Sequence, residues 1–93
     1  MTDVEINTLK RLRLRSWRRG MKEMDLILGS YADAHLADLD AGTIELYEEM
    51  LTENDQELYR WVSGQAAPPP RFAPLVSEIT AHMSDGLNKS RSS

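Results

Sequence analysis

The chain of 93 residues contains no cysteine, one phenylalanine and only 6% aromatic residues. Without cysteine there is neither a disulfide framework nor a thiolate metal site, a composition that suits a reducing compartment. Five scattered glycines form no phosphate-cradling loop. Two histidines, His35 and His82, share no ligand spacing, so no metal is expected; His35 falls on an apolar helix face and reads as a core or boundary residue. The serines have no identifiable base nearby, so no catalytic residue is predicted. No apolar run approaches the roughly 20 residues that cross a bilayer. Met1 to Glu5 lacks the hydrophobic centre of a signal peptide and the acid-poor character of a transit peptide, and the expected compartment is the bacterial cytoplasm.

One further absence is positional. From Glu23 to Glu57 there are eleven acids and no Lys or Arg, whereas Lys10, Arg11, Arg13, Arg15, Arg18, Arg19 and Lys22 put seven positive charges, with no acid, between residues 10 and 22. The net charge of −4 therefore hides a dipolar chain whose sign changes beside Gly20. A basic run with Trp17 inside it could contact phosphates and stack on a base. The acidic balance, with a pI near 5.1, speaks against nucleic acid, and the plainer reading is that these arginines pair with the chain's own acids.

The remaining pattern is helical throughout. Thr2-x-x-Glu5 reads as a capping box opening a first helix, with Ile6, Leu9 and Leu12 on its inner side. No β-branched residue lies between Thr8 and Met21, which favours helix over strand across the alternating Leu and Arg residues. A turn at Arg19-Gly20 leads into a second helix from about Met21 to Ala37, with Leu26 and Ile27 beside Glu23 on its outward face. Asp40 caps a third helix through Ile44, Tyr47 and Met50, and Asn54-x-x-Glu57 caps a fourth that ends at Ser63-Gly64. Gln65 to Pro70 is a stiff linker, and Pro74 fits only the first turn of a fifth helix. The expected architecture is all-α, a small five-helix bundle over residues 1–83 with a flexible polar tail at 84–93. Its core is expected to contain Met24, Leu28, Tyr31, Tyr47, Leu58, Trp61, Leu75 and Ile79. A single domain of this size buries only about 60–65% of its unfolded surface.

Arg19-Gly20-x-x-Glu23, preceded by Arg18 and followed by Met24-Asp25, resembles the signature of the assembly factors that promote covalent flavin attachment to succinate dehydrogenase. In eukaryotes this family is called succinate dehydrogenase assembly factor 2, and in bacteria the flavinylation factor. The similarity continues through Ile44 to Met50, the Asp55-x-x-Leu58-Tyr59-x-Trp61 segment and the prolines before the last helix, covering roughly residues 11–83. It implies a five-helix bundle that is not an enzyme but a binding module with a chaperone-like role. The client would be the flavoprotein subunit of succinate dehydrogenase, in some bacteria also that of fumarate reductase, whose own histidine receives FAD. The resemblance also implies that Arg18, Arg19, Gly20, Met21, Lys22, Glu23 and Asp25 face this partner.

No tightly bound cofactor is expected on the chain itself, FAD belonging to the client, and direct contact with FAD is open at this stage. A monomer is expected. An antitoxin-like role, or a nucleic-acid-associated one using the basic first helix, are the alternatives. Gly20 is expected to turn the backbone so that Arg19 stands near Glu23. If that pair is a surface salt bridge, it contributes only about 0–1 kcal/mol, and removing either side chain should cost the fold no more than about 0.5 kcal/mol.

Overall fold

Apolar residues spaced three and four apart give each segment one inward stripe, and these stripes meet in the structure of the chain, a computed structural model. The backbone is described over residues 3–92, and side chains at residue 3 and over residues 5–85. The helices are α1 (Asp3–Trp17), α2 (Lys22–His35), α3 (Ala41–Met50), α4 (Asp55–Val62) and α5 (Ala73–Ser92), with a 3-10 turn at Leu36–Asp38 between α2 and α3. Among the described residues there is no strand. All eight expected core side chains are buried, together with Leu12, Leu36, Met50, Phe72 and others. Trp61 belongs to this core, its ring 6.0 Å from that of Phe72. Ile6 departs from expectation: it is exposed, so the inner side of α1 is carried by Leu9, Leu12 and Ser16.

The helix ends follow from local chemistry. Asp40 Oδ1 accepts from the Thr43 amide at 2.7 Å, and Asn54 Oδ1 accepts from the Glu57 amide at 2.8 Å, each satisfying an otherwise orphaned N-terminal donor. The Thr43 hydrogen bonds hold the Asp40 carboxyl below its ordinary pKa. The expected capping box at α1 involves Thr2, which lies outside the described residues. At the end of α4, Gly64 adopts φ +82 while Gln65 N donates to Arg60 O at 2.8 Å and Gly64 N to Trp61 O at 3.2 Å. Those two bonds form a Schellman cap, for which glycine has no Cβ penalty. α5 begins at Ala73, with Pro74 in its first turn, and continues past Met83 to Ser92, through the segment read from composition as a polar tail.

Where α1, α2 and α3 meet, a polar relay is buried. Ser16 Oγ donates its one proton to the Leu12 carbonyl at 2.7 Å, so the Tyr47 hydroxyl is the donor in the 2.6 Å contact between the two. Burial pushes the Tyr47 hydroxyl up to about 12, against opposing pulls from Ser16 and the Arg19 charge. Every buried side-chain polar atom among the described residues has a partner. The relay therefore joins α1 to α3 without leaving an unsatisfied group.

Candidate functional site: the turn between the first two helices

Gly20 sits at φ +97 in the turn from α1 to α2, a backbone region that side chains with a Cβ rarely adopt. The turn has no side-chain N-cap: Met21 occupies that position in an extended conformation. Asp25, in the first turn of α2, instead reaches back to accept a hydrogen bond from the Arg19 amide at 2.5 Å. Its carboxylate thus stabilises both the turn and the positive end of the helix.

Arg19 does not stand beside Glu23. Its Nε donates to Asp55 Oδ1 at 2.7 Å, its Nη1 to the Leu51 carbonyl, and its Nη2 to the Glu53 carbonyl at 2.6 Å. The Arg19 and Asp55 side chains are only 11% and 17% exposed. The expected Arg19–Glu23 pair is therefore replaced by a clamp that fastens the α1–α2 turn to the α3–α4 connection. The physical reason is acceptor geometry. The carbonyls after α3, left without helical partners, converge with a carboxylate where a planar guanidinium can satisfy all three, which no single carboxylate on α2 can match. Nothing in the local sequence signals this, because the partners lie 32 to 36 residues away.

The seven candidate residues consequently divide. Arg19, Gly20 and Asp25 shape the turn, and Met21 is half-buried against the core. Arg18, Lys22 and Glu23 are exposed, and none of the three side chains has a hydrogen bond or ion pair among the described residues. A rigid turn thus presents three unsatisfied charges to solvent.

The rest of the basic run is largely neutralised internally. Arg11 and Arg15 both address Glu48, at 2.8 and 3.7 Å, and Arg13 lies 3.3 Å from Asp33. Asp33 also accepts from the Trp17 indole at 3.2 Å, so the ring is tethered along α2. With Arg19 on Asp55, four of the seven positive charges are paired within the chain; Lys10, Arg18 and Lys22 have no ion pair among the described residues.

A second polar cluster joins α2 to α5. His35 and His82, which share no sequence motif, stand 3.2 Å apart between Nε2 and Nδ1, and Ser30 Oγ lies 2.9 Å from His82 Nε2. His35 is exposed rather than part of the core. Next to it the Tyr31 hydroxyl donates to Glu78 at 3.0 Å, and burial, then Glu78, raises the Tyr31 pKa. Tyr31, His35, Glu78 and His82 line a cleft of about 330 Å³ with Asp38 and Asp85. Among the described residues no group of three or more His, Cys, Asp or Glu is placed to hold a metal ion. An apolar groove of about 260 Å³ lies between the start of α1 and α3, and neither cavity is lined by a residue of the Arg18–Asp25 turn.

Comparison with known proteins converges on one family. A family model described as the flavinator of succinate dehydrogenase matches residues 10–83. The mitochondrial succinate dehydrogenase assembly factor 2 of Drosophila grimshawi is 33% identical over 72 residues, covering 75% of this chain and 49% of that protein. The FAD assembly factor SdhE of Francisella tularensis is 34% identical over 64 residues, 69% of this chain and 67% of that protein. SdhE of Legionella pneumophila strain Lens is 34% identical over 62 residues, 67% of this chain and 78% of the relative. Against the mitochondrial relatives from Drosophila grimshawi and Arabidopsis thaliana, the chain spans about half of their length. No solved structure matches the chain at a significant level.

Proposed function

The chain belongs to the flavinator of succinate dehydrogenase family, and from that premise we propose that it is an assembly factor promoting covalent attachment of FAD to the flavoprotein subunit of succinate dehydrogenase. It acts as a monomeric binding module, and the client's own site performs the chemistry. The fumarate reductase flavoprotein is a second client of the same kind. The working compartment is the bacterial cytoplasm, a placement supported by the two bacterial relatives, of which the chain covers 67% and 78%. No helix among the described residues is long and apolar enough to cross a membrane.

The observation that carries this reading is the division of labour within the turn. Arg19, Gly20 and Asp25 fix the backbone, and that fixed backbone holds Arg18, Lys22 and Glu23 out with no partner among the described residues. Side chains that do nothing for the fold, set on a backbone that is strongly held, are suited to recognition. The mechanism that follows is a shift of population. By binding the client conformation in which the acceptor histidine meets the flavin ring, the factor raises the share of molecules able to react. Moving such an equilibrium from 1:99 to 99:1 takes about 10⁴-fold tighter binding to the reactive form.

The test is covalent FAD on the flavoprotein in cells lacking the native factor, complemented with wild type or Glu23→Ala. As a solvated side chain, Glu23 should cost less than about 0.5 kcal/mol when removed, a shift in melting temperature of no more than about 2–4 °C. Flavinylation should nonetheless fall clearly. Wild-type flavinylation by the folded variant would remove Glu23 from the site, and failure of the wild-type chain to restore any covalent FAD would remove the functional reading itself.

A further inference from the structure

We infer that the outward face of the α1–α2 hairpin is the seat for an acidic, apolar-centred surface of the flavoprotein client, with Leu14, Trp17 and Leu26 as its contacts and Lys10, Arg18 and Lys22 as its charged rim. This rests on the functional reading above and extends the binding surface well beyond the turn.

Large apolar side chains left in water are the first indication. Leu14, Trp17 and Leu26 are 50%, 37% and 54% exposed, whereas most large apolar side chains of this chain are buried or packed against the core. Their arrangement is the second. Lys10 and Leu14 stand four apart on α1, with Arg18 just past its end, and Lys22 and Leu26 repeat that interval on α2, so each exposed leucine lies on the same stripe as a cation with no ion pair among the described residues. Trp17 lies between the two stripes. Its ring is pressed against Gly29 of α2, where an added Cβ would come within 2.2 Å of the ring, and its indole nitrogen is tethered to Asp33. An aromatic side chain held in place before binding loses little rotamer freedom on association, and Trp and Arg are prominent among interface hot spots.

Charge decides the occupant. Four of the seven cations between residues 10 and 22 are neutralised inside the chain, and the three with no ion pair among the described residues all border this apolar strip. A surface of opposite sign gains from all three. A second copy of this chain does not: a twofold interface places the same patch against itself, bringing Lys10, Arg18 and Lys22 against their own counterparts. The client surface is thus apolar at its centre and acidic at its rim.

The experiment is binding of the purified chain to the isolated, FAD-free flavoprotein subunit at low and high salt. Leu14→Ser/Leu26→Ser should weaken binding by about tenfold or more, at both salt concentrations. Lys10→Glu/Arg18→Glu/Lys22→Glu should weaken it most at low salt and abolish the salt dependence of the wild type. Thermal melts should stay near wild type, because all five side chains are exposed. Wild-type affinity in both folded variants would overturn the inference while leaving the functional reading in place. Absence of binding by the wild-type chain would overturn both. Two other results also overturn it: wild-type dimers that these variants dissociate, or capture by phosphatidylserine vesicles, lost in the variants, without affinity for the flavoprotein.

Discussion

Arg19→Ala tests the clamp most directly. The substitution removes an ion pair to a carboxylate that is 17% exposed and two further hydrogen bonds to the carbonyls of Leu51 and Glu53. Hydrogen bonds to charged groups contribute about 1.5–3 kcal/mol each before relaxation, and breaking a fully buried pair costs about 3–5 kcal/mol. The site borders solvent, so water can enter and solvate Asp55 and the two carbonyls, which offsets part of the loss. A net cost of about 2–4 kcal/mol follows. A domain of this size is stable by roughly 5–14 kcal/mol in total, so the loss is a large share of it. At about 4–8 °C per kcal/mol, the melting temperature should fall by roughly 8–32 °C. Arg19→Lys should fall between the two, because an ammonium keeps the charge but lacks the planar fork that reaches three acceptors. A double-mutant cycle with Asp55→Ala should give a coupling of about 1–3 kcal/mol between the two side chains. The assays are thermal and urea unfolding followed by circular dichroism. An Arg19→Ala protein melting within about 2 °C of wild type would refute the clamp and return Arg19 to the surface pair with Glu23 expected from the sequence.

Two other perturbations probe the packing around the turn. Tyr47 is neutral in the folded core and its pKa is raised from 10.0 to about 12, so its contribution is complete below pH 10 and is lost as pH climbs from 10 toward 12. Tyr47→Phe should cost about 1 kcal/mol at neutral pH through the lost bond to Ser16, yet lose stability less steeply than wild type in that alkaline window; parallel curves of stability against pH would contradict the assignment. Gly29→Ala should shift the Trp17 fluorescence to the red, because the new methyl occupies the place of the ring. Helix propensity favours alanine by about 1 kcal/mol and displacement of the indole opposes it by about 1–3 kcal/mol, so the protein should be slightly less stable, and an unchanged emission spectrum would show that the ring is not seated there.

The helices were legible in the sequence because the forces that make them are local. A 3.6-residue apolar period, the caps at Asp40 and Asn54 and the glycine stop at Gly64 each act within a few residues, and each was found where the pattern placed it. The same holds for the core, since Leu28, Tyr47 and Ile79 have no other way to leave water than through the inward stripe of their helix. The order and spacing of the Arg19-Gly20-x-x-Glu23 segment likewise identified the family from residues alone. Which of those residues shape the molecule and which face outward was not written in the motif. Arg19 finds Asp55 across 36 positions, His35 finds His82 across 47, and Trp17 rests on a glycine of the next helix. Such pairings depend on how far each helix is rotated and shifted against its neighbours when the apolar stripes close together. Periodicity gives the face of a helix that turns inward but not the residue on another helix that will meet a given side chain. Tertiary packing alone therefore turned Arg19 from an expected partner of Glu23 into a structural clamp, and left Glu23, outward by its helical period, without that partner.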